Sequence, residues 1–183
     1  MEKEIKEYKS LNKIAANGGL VVFGEKADKE IPVGELKDSF NLDYSAYNRS
    51  FSDLTLDNAI ELYDECVLPL SPDTVLLHIG NNGEYWKDIA GFEQSYIALI
   101  KHIKEKTKNI RVVVVSVNDE ETNRHLKNIS DSTHVEYQNI LHTTAWNPQS
   151  IKGVNSFLQS IGLYSYKRKV SAYDLAKIFF CYA

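Results

Sequence analysis

Short apolar runs, separated by stretches that alternate polar and apolar residues, give the main pattern of this chain. A strand buried on both faces of a parallel sheet is apolar at consecutive positions rather than at helical spacing. The pattern predicts five strands, at 20–23, 42–48, 75–79, 110–117 and 134–140, of which 110–117 has the strongest signal and 134–140 a weaker one. Helices are predicted between them, so we expect an α/β domain built on a parallel sheet.

The predicted helices have apolar residues on one face. Phe92, Tyr96, Ile100 and Ile103 recur at helical spacing in a long helix that ends at 106–109. Thr55 is a typical N-cap residue and begins a helix that ends before two prolines. The other predicted helices lie at 32–40, 120–130, 150–161 and from 170 to the end of the chain.

Composition indicates one ordinary globular domain. The 183 residues contain no internal repeat or linker, so we predict a single domain over 1–183, with 1–17 as an N-terminal helical arm. The net charge of -4 gives no reason to expect nucleic acid as a partner. No apolar run approaches the ~20 residues of a membrane span.

The compartment follows from the N-terminus and the cysteines. The first residues are charged and lack the apolar core of a signal peptide. Cys66 and Cys181 lie in apolar helical patterns and are interpreted as reduced packing residues. We therefore expect a cytoplasmic protein.

The stretch 73–83, DTVLLHIGNNG, is the first candidate for a site. An apolar strand ends there at Gly80, and the amide side chains of Asn81 and Asn82 follow. Ligands of open parallel sheets bind just beyond the carboxyl ends of the strands. The amides would therefore stand where a ligand oxygen could accept a hydrogen bond, although asparagines are also common turn residues.

Three blocks, in order, resemble those of the SGNH hydrolases, also called the GDSL esterase/lipase family. They are GLVVFGEK at 19–26, NRSFS at 48–52 and VLPLSPDTVLLHIGNNG at 67–83. The resemblance spans about residue 18 to the end of the chain. It implies a three-layer α/β/α, flavodoxin-like sandwich with five parallel strands in the order 2-1-3-4-5.

The resemblance also implies which positions of this chain correspond to the family's catalytic residues. The family uses a Ser nucleophile, a His base oriented by an Asp, and an oxyanion hole. By this correspondence Asn82 matches the oxyanion Asn, Ser50 matches a Gly whose backbone N–H donates, and Glu25 matches the first-block Asp. Lys26 stands at the nucleophile's position, and Lys167 falls in a window, 164–167, that has neither the Asp nor the His. We therefore expect no catalytic triad.

The five histidines offer no clear replacement base. Asp131 and His134 form an Asp-x-x-His motif, but it precedes the fifth strand rather than the terminal helix. A helix-to-strand turn is expected at this point. His78 is interpreted as a hydrogen-bonded core residue, and His102 and His125 as solvated. The role of His142 stays open. No spacing of His and carboxylate residues indicates a metal, and we expect no cofactor.

These observations favour a non-catalytic member of this fold. Its old active-site cleft would bind a small anionic or acylated ligand, or serve as a scaffold. The proposed ligand-binding residues are Lys26, Ser50, Asn82, Glu25 and Lys167. The alternative is an active acyl-ester hydrolase, for carbohydrate O-acetyl or lipid substrates, or an acyltransferase, with relocated catalytic residues. A tyrosine-rich interaction module and an oligomeric state both stay open, since eleven tyrosines are many for this length.

Overall fold

Five parallel strands form one sheet in the computed structural model, in the order β2-β1-β3-β4-β5. The strands are β1 Leu20–Gly24, β2 Ala46–Asn48, β3 Thr74–His78, β4 Arg111–Val115 and β5 Glu136–Gln138. The structure describes residues 1–39, 42–81, 87–139, 173 and 176. The predicted α/β class, strand number and strand order are confirmed.

Between residues 1 and 139 the described ranges contain five α-helices: α1 Glu2–Asn12, α2 Val33–Ser39, α3 Leu56–Leu62, α4 Ile89–Lys106 and α5 Glu120–Thr133. Two 3₁₀ helices lie at Lys26–Glu30 and Leu68–Leu70, and a π-helical turn at Tyr63–Val67. The predicted helix at 150–161 lies outside the described residues. Tyr173 and Ala176 of the predicted terminal helix are described, and both are helical. No helix in the described ranges has the length and apolar character that a membrane span requires.

Both faces of the sheet are buried, which explains the continuous apolar runs in the sequence. One set of alternating strand residues packs with α3, α4 and α5: Val21, Phe23, Val75, Leu77, Val112 and Val114. The other set is at most 1% exposed: Leu20, Val22, Leu76, Val113 and Val115. The predicted apolar face of α4 is buried too.

The structure differs from prediction mainly at the two edge strands and in the segments around helices. β2 and β5 are three residues long, shorter than their apolar patterns, because each edge strand pairs along only three positions. The charged segment after β1, for which the sequence predicted no helix, forms a 3₁₀ helix. His134 adopts a left-handed conformation, with φ of 53°, as the C-cap of α5. Helix α5 thus extends through Thr133, beyond the predicted 120–130, and the turn toward β5 is made at His134 rather than over Asp131–His134.

Candidate functional site

Three strand ends meet at the carboxyl edge of the sheet. Gly24 of β1 pairs with His78 of β3, and Val22 pairs with Asn48 of β2. The segments that follow these ends therefore start side by side. They contain Glu25 and Lys26 after β1, Ser50 after β2, and Asn81 after β3. Ligand sites of open parallel sheets occupy this edge.

Glu25 links the end of β1 to the turn after β3. Its carboxylate is 1% exposed and accepts hydrogen bonds from the backbone N–H of Gly80, at 3.0 Å, and of Asn81, at 2.8 Å. Gly80 has a φ of 136°, a conformation that residues with a Cβ rarely adopt. The turn therefore depends on a glycine, and the buried acid holds its two N–H groups in place.

An Asp–His pair, in which the carboxylate is buried and the imidazole partly buried, lies directly beside this link. Asp28, in the 3₁₀ helix, is 2% exposed and places Oδ1 at 2.8 Å from Nδ1 of His78. Its Oδ2 accepts the backbone N–H of Glu25 at 2.8 Å. A Cβ at position 24 would lie 2.1 Å from that oxygen, so only glycine at the end of β1 lets the carboxylate approach. His78 is thus hydrogen-bonded, as predicted, but it is partly buried at the end of β3 rather than a core residue.

Ser50 is fully buried, and its polar atoms bond within the protein. Its N–H donates to Oδ1 of Asn48 at 3.0 Å, and its Oγ accepts the N–H of Gly24 at 3.1 Å. Its carbonyl oxygen accepts the Tyr8 hydroxyl at 2.6 Å. A ligand that used the Ser50 N–H would have to displace the Asn48 side chain.

Lys26 is exposed at the start of the 3₁₀ helix, next to the buried Glu25. The structure therefore brings Glu25, Lys26 and Ser50 to the same edge of the sheet. The other two predicted ligand-binding residues, Asn82 and Lys167, lie outside the described residues, as does His142.

Helix α1 holds the loop after β2 in position. Arg49 is 4% exposed and donates from Nε and Nη2 to Oδ1 of Asn12, at 3.0 and 2.7 Å. Its guanidinium also lies 5.0 Å from the ring centroid of Tyr8 and 5.5 Å from that of Tyr47. Burial lowers the pKa of Arg49, although the tyrosines partly offset this effect. Arg49 is therefore an internal packing residue.

Sequence reasoning missed the partners at this edge. Asp28 lies in a charged stretch of sequence that does not indicate its partner, and the sequence assigns no role to Asn12, the asparagine of α1 that binds Arg49. His102 and His125, expected to be solvated, instead contact carboxylates of neighbouring elements, Asp64 and Glu93, at 2.7 Å each. The sequence around a carboxylate in a polar loop or on a helix face does not indicate which distant residue it contacts.

The described residues indicate no metal centre. No group of three or more His, Cys, Asp or Glu side chains within them could hold a metal ion. Cys66 is a buried free thiol, and burial raises its pKa to about 11, which disfavours the reactive thiolate. Within these ranges the edge offers hydrogen-bonding groups and a lysine rather than a metal-ligand set.

Comparison with solved structures identifies the fold, whereas comparison of sequences finds no match. No protein-family model matches the chain, and no curated protein matches it. Among solved structures, a GDSL-like lipase from Bacteroides thetaiotaomicron is similar with a TM-score of 0.60 and 17% identity, over 87% of this chain and 96% of that one. An acetyl xylan esterase is similar with a TM-score of 0.57 and 13% identity, over 90% and 98% of the two chains.

A third similar structure is the periplasmic domain of a lipopolysaccharide acetyltransferase from Salmonella ser. Paratyphi A. It has a TM-score of 0.54 and 15% identity, over 73% of this chain and 70% of that one. Lipase, esterase and acetyltransferase share one architecture here, so the likeness identifies the architecture and not the reaction. Together with the strand order, these likenesses confirm that the chain has the fold of the GDSL-like lipases and esterases, the SGNH hydrolase fold.

Proposed function

We propose that this protein uses the SGNH hydrolase fold without serine-esterase chemistry, and that its carboxyl-edge cleft binds a ligand or serves as a scaffold. The observation that carries the proposal is Lys26. It directly follows Glu25 at the exposed start of the 3₁₀ helix, where the resembling family has its nucleophilic serine. An amine there cannot form the acyl-ester intermediate on which that chemistry depends.

The hydrogen bonds at the edge support this reading. The N–H of Ser50, which corresponds to an oxyanion donor, bonds to Asn48, and Glu25 bonds to the turn after β3. An oxyanion hole works because its donors point at the reacting oxygen before the reaction begins. The Ser50 donor is instead satisfied within the protein.

The proposed ligand is a small anion or an acylated compound. Lys26 supplies an exposed positive charge at the edge, and Asn82 and Lys167 are proposed to join it. Structures with this fold include a GDSL-like lipase and an acetyl xylan esterase, so an acylated carbohydrate or lipid is a reasonable class of ligand. Such a protein would still bind the ligand but would not hydrolyse it.

A matched pair of lysine variants tests the proposal. Wild type, Lys26→Ala and the control Lys106→Ala, at the far end of α4, would be assayed on short-chain aryl and acetyl-sugar esters. We expect no turnover above background in any of the three. Sulfate and acetate binding, measured by NMR titration, should weaken about tenfold or more in Lys26→Ala alone, as expected for loss of a charge-assisted contact. Binding that is equal in all three proteins would contradict the proposal.

The second candidate is an acyl-ester hydrolase or acyltransferase with relocated catalytic residues, and the Asp28–His78 pair favours it. An imidazole whose Nδ1 bonds to a buried carboxylate is oriented as the base of a hydrolytic triad is. Turnover in the same assay that persists after treatment with serine-directed phosphonates and is abolished in His78→Gln would establish this alternative.

A further inference from the structure

Glu4 of α1 lies in a pocket between the segments that follow β1 and β2. Its Oε1 accepts hydrogen bonds from Nζ of Lys29, in the 3₁₀ helix after β1, and from the backbone N–H of Ser52, after β2, at 3.1 Å. The Ser52 hydroxyl also donates to Oε1, at 2.9 Å. Three donors from the body of the domain therefore converge on one carboxylate oxygen that α1 supplies.

The two residues that donate to Glu4 are held by contacts outside α1. Nζ of Lys29 also donates to Oγ of Ser52, at 2.9 Å. Next to Lys29 in the 3₁₀ helix, the carbonyl oxygen of Asp28 accepts from Nδ2 of Asn48 at 2.7 Å. Next to Ser52, a fully buried phenylalanine, Phe51, donates its N–H to the last carbonyl oxygen of β1 at 3.0 Å. We expect these contacts to keep the donors in place when the carboxylate is absent.

The first turn of α1, which carries Glu4, is attached less firmly than the residues of the pocket. No residue of α1 is fully buried, and segments with few buried apolar contacts open at a lower free energy than the whole domain unfolds. Further along the helix, Tyr8 donates to the carbonyl oxygen of Ser50, and Asn12 accepts from Arg49. The first turn can therefore open while the rest of α1 stays attached.

We propose that Lys29 and Ser52 form a binding site for an external carboxylate, and that Glu4 occupies this site as a tethered, competing ligand. When the first turn of α1 opens, the carboxylate of another molecule can accept the same three hydrogen bonds. The bond from Lys29 is charge-assisted, which makes it the strongest of the three. A tethered ligand lowers the apparent affinity for an external one, because only the molecules in which the site is free can bind.

The arrangement favours binding rather than catalysis. A serine nucleophile needs a base that accepts its proton. Nζ of Lys29 instead donates to Oγ of Ser52, and the Ser52 hydroxyl donates to Glu4. The proposal rests on the proposed function only in that both assign anion binding to the carboxyl edge of the sheet. Lys26, on which the proposed function depends, is not one of the three donors to Glu4.

Titration with acetate, followed by nuclear magnetic resonance at the Ser52 backbone amide, tests the proposal. If Glu4 fills the site in about nine-tenths of the molecules or more, acetate should bind there at least about tenfold more tightly in Glu4→Ala than in wild type. Glu7→Ala removes an exposed acid of the same helix and should behave as wild type. The proposal is overturned if the Ser52 amide of folded Glu4→Ala does not respond to acetate, or if the two affinities are equal.

Two further variants make the result specific. Glu4→Gln keeps the shape of the side chain without its charge, so it should show a smaller gain in acetate affinity in the same direction. It supplies the measurement if Glu4→Ala does not fold, and an affinity equal to that of wild type would again contradict the proposal. When Lys29→Gln is added to the Glu4 variant, the gain should disappear, and undiminished acetate binding would show that Lys29 does not form the site.

A comparison of two probes identifies the kind of carboxylate that the site prefers. A capped Ala-Glu-Ala peptide that binds to the Glu4 variant more tightly than acetate does would indicate an acidic peptide as the ligand. Tighter binding of acetate would indicate a small organic acid. The signal is read at Ser52 and involves neither turnover nor Lys26, so this proposal and the proposed function can fail separately.

Discussion

Glu25 shows how one side chain can organise the edge of the sheet. Its carboxylate is buried and satisfies two backbone N–H groups that lie 55 and 56 positions further along the chain. Buried donors that lose their acceptor are expensive, because the desolvation of the N–H is no longer offset. Glu25 therefore matters to the geometry of this edge whether or not it touches a ligand.

Replacing Glu25 by Gln should destabilise the protein. The amide keeps one acceptor oxygen but sets an NH₂ group against one of the two backbone donors. We expect a loss of about 1–3 kcal/mol in the free energy of unfolding. Urea unfolding measures it, with Glu30→Gln as the control, since Glu30 is an exposed acid at the end of the same 3₁₀ helix. Equal stability of the two variants would contradict the assigned hydrogen bonds.

At the scale of elements, α1 is anchored to the loop after β2 by Glu4. This carboxylate accepts bonds from the Nζ of Lys29 and from the N–H and Oγ of Ser52. Partial burial raises the pKa of Glu4, but the bonds from Lys29 and Ser52 outweigh it and lower the pKa to about 2, from an ordinary 4.5. Helix α1 is thus part of the folded domain's structure around the second block.

The Glu4 contact should make stability depend on acid. A pKa lowered by folding contributes stability that is fully present above pH 4.5 and is lost as the pH falls toward 2. Glu4→Gln should therefore cost about 1–2 kcal/mol at pH 7, a figure discounted for solvent screening. The difference from wild type should shrink below pH 4.5 in denaturant titrations. Glu7→Gln, which removes an exposed pair with Lys3, should cost under about 0.5 kcal/mol.

At the scale of the whole molecule, the fold was predictable because burial leaves a local pattern. The apolar runs of β1, β3 and β4 and the apolar face of α4 are visible within a few residues of sequence. The site was less predictable, because its contacts join distant segments. Asp28 and His78 lie 50 positions apart, and neither position shows that the other is its partner. The family resemblance indicated the carboxyl edge of the sheet as the candidate site but not the hydrogen bonds that the structure shows there.

The central claim is that this SGNH fold carries no activated serine, and covalent labelling tests it most directly. The purified protein would be incubated with a serine-directed fluorophosphonate, and its intact mass would be measured beside that of an active GDSL-like lipase. The account predicts an unchanged mass for this protein and a single adduct on the lipase. A stoichiometric adduct on this protein, mapped by peptide sequencing to one serine, would contradict it.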